Sequence, residues 1–364
     1  ATFAFGQSMD FSLTAASADV IEAATLFISA PDLPNTLTAV LPITPGRQIS
    51  ANYELDLTQV RLAPFTTVTY WWRLETAVGE ISLDQQTIIY EDDQFSWRQA
   101  AQDGVVVHWT GDDAGLGQLG LDIVDESLPR LAAILPVPDP LAVDIYIYPS
   151  SADLRSALRL TGRDWVGAHA HPELGVVLVT AVNSRTAAAD LRQSIPHELT
   201  HFLLYQAAGP HYDSIPAWFG EGLATFVEDS AHPNYDALLA TAVAQQTTIP
   251  FTELCQAFPA VEQRALLAYA QSASFIDYLQ GRFGGQALRE LTAAYTDGMD
   301  CQSGISHVLQ KSLTDLNQDW LRHEQPLSPF RQFWRDNGYW LLLLTGGFGL
   351  ASLLIIKPRR KNQR

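Results

Sequence analysis

Two cysteines, Cys255 and Cys301, are all that the 364-residue chain contains. Neither has a second cysteine or a histidine within four residues, so neither has the spacing of a zinc ligand. Positive charge is scarce as well: 22 lysines and arginines face 40 aspartates and glutamates, a formal net charge of -18. That balance argues against nucleic acid as a partner and against docking on an anionic membrane through a basic patch. The start of the chain lacks a basic n-region and an apolar h-region, which reads as a signal peptide already removed or a trimmed chain. Long apolar runs are missing too, with one exception near the C-terminus.

That exception runs from Gly338 to Ile356, nineteen residues without a charge. At about 1.5 Å per residue, a helix of this length comes close to the ~30 Å of a bilayer core. Trp334, Tyr339 and Trp340 mark one interface, and Lys357, Arg359, Arg360, Lys361 and Arg364 crowd the other. The positive-inside rule then predicts a single-pass membrane protein with residues 357–364 as a cytoplasmic basic tail and everything before 338 outside. Thr345, Gly347, Gly349 and Ala351 would let another helix approach closely, so other membrane-protein subunits are candidate partners.

The chemistry is concentrated in His197-Glu198-Leu199-Thr200-His201. Residues four apart share one helix face, so His197 and His201 can aim two imidazole nitrogens at one point. Zn2+ at such a point takes two histidines, a third protein ligand and a water. Glu221, in Pro216-Ala217-Trp218-Phe219-Gly220-Glu221-Gly222, is the candidate third ligand, and Glu198 the candidate proton acceptor. Ser194 as N-cap and Pro196 in the first turn would start the helix that carries the motif.

Residues 1–98 read as β-rich runs at 9–14, 22–29, 37–43, 49–57, 66–75 and 85–91, separated by turns such as Pro31-Asp32 and Pro45-Gly46. This predicts an N-terminal antiparallel β-sandwich of immunoglobulin or fibronectin type III kind, with Trp71 and Trp72 used in core and corner packing. From 99 to 328 the pattern becomes α+β. Strands are expected at 105–109, 144–148 and 175–180, with helices at 116–135, at 152–159, around the histidine motif, and through most of the chain beyond Glu221. The strand at 175–180 is the expected edge for an extended peptide. Gly115-Leu116-Gly117-Gln118-Leu119-Gly120 matches a dinucleotide-binding pattern, but Asp112 and Asp113 would repel a pyrophosphate there. Helix capping and close packing explain those glycines more simply. His169, His171 and His211 lack ligand spacing and read as surface or loop histidines.

Residues 100 to 325 resemble the gluzincin metallopeptidases, closest to the membrane-anchored peptidase MA-like proteins of bacteria and more distantly the aminopeptidase N family. The resemblance lies in Ile195 to His201, Trp218 to Ala224, and Leu267-Ala268-Tyr269-Ala270-Gln271-Ser272. It implies a zincin-type domain with His197, His201 and Glu221 as zinc ligands and Glu198 as general base. Tyr269 would stabilise the oxyanion, and Glu228 would be a carboxylate behind the ligands. The segment that binds a substrate's free amine in aminopeptidases has no counterpart; Trp165 to Glu173 stands in its place. The implied function is hydrolysis of peptide or protein substrates outside the cytoplasmic membrane. The alternative is an accessory subunit of a membrane assembly that retains a zincin fold. Cys255 and Cys301 would close a long loop if paired, and otherwise are two buried free thiols.

Overall fold

The computed structural model describes residues 1–159, 168–181, 186–228 and 234–325. The expected membrane helix at 338–356 and the tail at 357–364 lie outside the described residues. Among those described, no helix is long and apolar enough to cross a membrane.

The first seven strands are β1 (Thr2–Ala4), β2 (Ser8–Ser29), β3 (Leu37–Leu41), β4 (Gly46–Asp56), β5 (Thr66–Thr76), β6 (Gly79–Ser82) and β7 (Gln86–Tyr90). All their pairings are antiparallel, as expected, but the strands form one seven-stranded sheet rather than two separate ones. The reason is β2. The runs read as separate strands at 9–14 and 22–29 are one continuous strand, because nothing between Ala15 and Val20 is glycine or proline. Its first half pairs with β1 and β4. Its second half, beyond a register break between Ala16 and Ile21, pairs mainly with β3 and β5. Trp72 is buried, and Trp71 stacks on Phe27 at 5.2 Å, so both tryptophans serve packing.

A five-stranded sheet follows: β8 (Arg98–Gln102), β9 (Val105–Trp109), β10 (Val143–Tyr148), β11 (Ala168–His171) and β12 (Val176–Thr180), in the spatial order β11-β12-β10-β9-β8. The inner pairs are parallel and the outer two antiparallel. Side chains alternate across a strand. Val107, Ile145, Ile147, Val177 and Val179 therefore face the helices, while Tyr146, Tyr148, Val176 and Leu178 join the core of the first sheet. Burial on both faces explains why β12 reads as an unbroken apolar run. Phe65 stacks on Tyr146 at 3.6 Å across this boundary, and Tyr148 donates to the buried Asp92 carboxylate at 3.1 Å.

Between these strands lie α1 (Gly115–Ala132) and α2 (Ser151–Ala157); after them come α3 (Ala187–Ala208), α4 (Ala217–Phe226), α5 (Tyr235–Gln245), α6 (Glu262–Phe283), α7 (Gly285–Thr296), α8 (Cys301–Leu309) and α9 (Leu313–Glu324). The glycines of the nucleotide-like segment are packing residues. A Cβ on Gly117 would meet the Trp109 ring at 2.2 Å, and one on Gly120 would meet Val107 at 2.9 Å. Asp113 accepts from the Gly115 N–H at 2.9 Å and Asp112 pairs with Arg98, so both aspartates are engaged at the start of α1. Cys255 and Cys301 form a disulfide, which decides between the two readings of these residues.

Candidate metal centre

The helix α3 begins at Ala187, earlier than the local signals suggest. Ser194 is not its cap; its hydroxyl donates back to the Asp190 carbonyl, and Pro196 sits in the helix interior. Leu191, Ile195, Leu199, Phe202 and Leu203 are fully buried along one side, so tertiary burial carries the helix through the proline. The opposite side presents His197 and His201, whose ring centroids lie 5.1 Å apart.

Glu221 comes from the next helix, α4. Its Oε2 lies 3.6 Å from His197 Nε2 and 3.5 Å from His201 Nε2. That oxygen is buried and has no hydrogen-bond partner. An orphaned buried carboxylate oxygen is costly unless something else meets it. Ligands about 2.1 Å from one ion in tetrahedral array stand roughly 3.4 Å apart, close to the spacing observed. One ligand atom from each of His197, His201 and Glu221 falls within 4.8 Å of the others, and among the described residues this is the one such group able to hold a metal ion. The donor set and its geometry fit zinc.

The electrostatics point the same way. Burial disfavours charge on His197, but the Glu221 carboxylate facing it, the hydrogen bond to Glu228 and the nearby charge of Glu198 outweigh it and hold its pKa well above the usual histidine range. The three carboxylates give the point between the histidines a negative field, which a bound cation would neutralise. Burial likewise opposes charge on Glu221, yet His201 and His197 hold its carboxyl far below the ordinary glutamate value. Glu198 is the reverse case: burial, only partly offset by the two histidines, raises it.

Glu228 lies just beyond the end of α4 rather than within it, and still reaches the site: its Oε1 is 2.8 Å from His197 Nδ1. Tyr269, on α6, has its ring centroid 6.3 Å from that of His197. Burial, then the charges of Glu221 and Glu198, push its hydroxyl pKa upward, which keeps it a proton-bearing donor at the centre. Gly222 permits this arrangement, since a Cβ there would meet the Ser272 carbonyl oxygen of α6 at 2.9 Å.

Other residues feel the charge of the site without being legible in the sequence. The hydroxyls of Tyr212 and Tyr235 are shifted upward by burial and then by carboxylates of the centre, Glu221 first for Tyr212 and Glu228 first for Tyr235. Neither stands in a recognisable motif. His169 and His171 belong to strand β11 rather than to a loop, their rings 4.6 Å apart, and His171 Nδ1 is 3.3 Å from Glu173. The strand read as the open edge, β12, is paired on both sides, so among the described residues the outermost strand beside α3 is β11. His211 lies in the turn after α3, against Gly298.

The family model of the Peptidase MA superfamily matches residues 124–324, over half of the chain and all of the centre. Among curated proteins no significant match is found. A solved M1 zinc metallopeptidase from Deinococcus radiodurans is 15% identical, covers 89% of this chain and 92% of its own, and superposes with a TM-score of 0.42. A glutamate-to-alanine mutant of an M1 zinc metallopeptidase from that organism, bound to a Tyr-Ser-Ala substrate, is 14% identical, with coverages of 89% and 92% and a TM-score of 0.41. At these scores the assignment rests on the sequence match.

Proposed function

The chain belongs to the Peptidase MA superfamily and is a zinc metallopeptidase; we propose from that premise that it works tethered to a membrane, cleaving peptide bonds outside the cytoplasm. The observation that carries the catalytic part is the convergence of two α3 histidines and the orphaned Glu221 oxygen on one point. The tether rests on the uncharged run 338–356 with its aromatic and basic flanks.

His197, His201 and Glu221 would hold the zinc, which when bound supplies Lewis acidity and acidifies a coordinated water. Glu198 follows His197 directly on α3, and its raised pKa suits a group that must take a proton and give it back. It accepts the proton of the attacking water and delivers it to the leaving amine. Tyr269 keeps its hydroxyl proton and donates to the substrate carbonyl oxygen as negative charge builds there. Strand β11 offers its outer edge to an extended substrate, which main-chain hydrogen bonds would align.

Metal analysis of the purified protein, paired with a peptide-cleavage assay, tests this reading. About one zinc per chain and cleavage abolished by a chelator and restored by zinc are expected. Glu198→Gln should retain the zinc and lose cleavage by about 100- to 10,000-fold. Cleavage that survives Glu198→Gln would remove this residue from the mechanism. For the tether, protease applied to intact cells or spheroplasts should digest the N-terminal domains and spare the segment 338–364. Recovery of the whole chain in the fraction free of membranes would overturn it.

A further inference from the structure

Glu221 approaches the histidines from a helix to which they do not belong, so its position depends on how α4 is held. That helix has ten residues and no side-chain cap, since Pro216 stands at its N-cap. The unpaired N–H groups of a first turn need partners. Here Ala217 donates to the Cys255 carbonyl and Trp218 to the Leu254 carbonyl, each at 3.0 Å. Cys255 is bonded to Cys301, the first residue of α8. The Trp218 indole N–H donates to the Cys301 sulfur at 3.2 Å. The two half-cystines therefore both hold the first turn of α4, one through its backbone carbonyl and one through its sulfur. Ala217 and Glu221 are four apart, one helical turn, on the same face. The far side of the disulfide is fixed as well: the buried Tyr295 donates to the Cys301 carbonyl at 3.1 Å, and its ring lies 4.9 Å from that of Phe219.

We infer that the Cys255–Cys301 disulfide positions Glu221, so that zinc affinity at the centre follows the redox state of this pair. The inference rests on the reading of His197, His201 and Glu221 as the ligands. The switching step is thiol–disulfide exchange with a dithiol. The protein S–S bond breaks, Cys255 and Cys301 each gain one electron and one proton, and the dithiol leaves as a disulfide. The segment carrying Leu254 and Cys255 is then no longer tied to α8, and the acceptors for the first turn of α4 lose their fixed place. The buried rings of Trp218 and Phe219 and the contact of Gly222 with Ser272 still hold the helix in the core. The effect is therefore local, on the aim of one carboxylate.

The test uses the full chain in three forms: oxidised wild type, wild type reduced by a dithiol that is then removed under inert gas, and the double variant Cys255→Ala, Cys301→Ala. Zinc affinity is read by competition with a chromophoric chelator, and folding by circular dichroism. We expect the reduced protein and the variant to bind zinc about 10- to 100-fold more weakly with unchanged helical signal, in the range seen when groups that orient ligands are lost. Reoxidation of the wild type should restore the affinity. Equal affinity in all three forms overturns the inference and leaves the ligand assignment standing. Loss of the folded signal on reduction and in the variant also overturns it, because the disulfide then holds the whole domain together. Failure of the ligand assignment is separately visible: oxidised His201→Ala would bind zinc as tightly as the wild type.

Discussion

His197 presents Nδ1 to Glu228 at 2.8 Å, and so turns Nε2 toward Glu221 and His201. A carboxylate that accepts a hydrogen bond from Nδ1–H selects the tautomer whose Nε2 is free to bind metal, and it fixes the ring plane. Glu228→Ala should weaken zinc binding about 10- to 100-fold. Glu228→Gln should lose less, because its amide oxygen can still accept the hydrogen bond from Nδ1–H. Isothermal titration with zinc would check the order; equal losses for both variants would mean that charge, not orientation, is the contribution of Glu228.

Tyr269 faces the same centre from α6. A hydrogen bond to the carbonyl oxygen strengthens as charge develops, so its loss falls on turnover more than on binding. For Tyr269→Phe, kcat should fall by about 10- to 1,000-fold with KM changed far less. A variant that raises KM and leaves kcat intact would make Tyr269 a substrate-binding residue instead.

The chemistry is more legible in the sequence than the scaffold that aims it. His197 and His201 are four apart, and Glu221 sits in a short aromatic and glycine-rich helix, so one pair of candidate ligands is local and the third is marked by its neighbours. The start of α3 misleads because Ser194 and Pro196 are genuine local start signals overridden by burial of Leu191 and Ile195. Strand β11 is hidden because Ala168-His169-Ala170-His171 has little β-propensity; it exists because β12 offers it a partner. Tyr212 and Tyr235 come under the field of the carboxylates at the centre only through the packing of distant segments, which no spacing rule encodes.

Asp92 ties the two sheets together at a cost that depends on pH. It is 1% exposed and accepts from Tyr148 and from the Gln94 N–H. Burial outweighs these hydrogen bonds and raises its pKa above the usual carboxylate value. A carboxyl raised in the folded state favours the protonated form there. Its contribution to stability is therefore best at low pH and declines as pH rises from the unfolded value through the folded one. Asp92→Asn removes the charge and keeps one acceptor. At pH 7 its Tm should exceed that of the wild type by roughly 2–4 °C for each kcal/mol recovered. The advantage should shrink toward pH 4. A difference that stays constant across that range would mean that the Asp92 carboxyl is not raised by folding.

Gly220 and Gly222 flank Glu221 and should respond to the same substitution in opposite ways. A Cβ at Gly220 finds its nearest neighbour, the Ile215 side chain, at 3.7 Å, an ordinary contact. Alanine is favoured over glycine within a helix by about 1 kcal/mol, so Gly220→Ala should be neutral or stabilising. At Gly222 the Cβ would stand 2.9 Å from the Ser272 carbonyl oxygen, and backbone cannot swing aside as a side chain can. Gly222→Ala must part α4 from α6, at a cost of about 1–3 kcal/mol. It would also carry Glu221 away from the histidines, and α6 with Tyr269 away from Glu221. Denaturant unfolding of both variants, with zinc titration alongside, separates the outcomes. Loss of stability and zinc affinity at 222 with neither lost at 220 is expected. Equal behaviour at the two positions would mean that the spacing of α4 and α6 does not set the geometry of the centre.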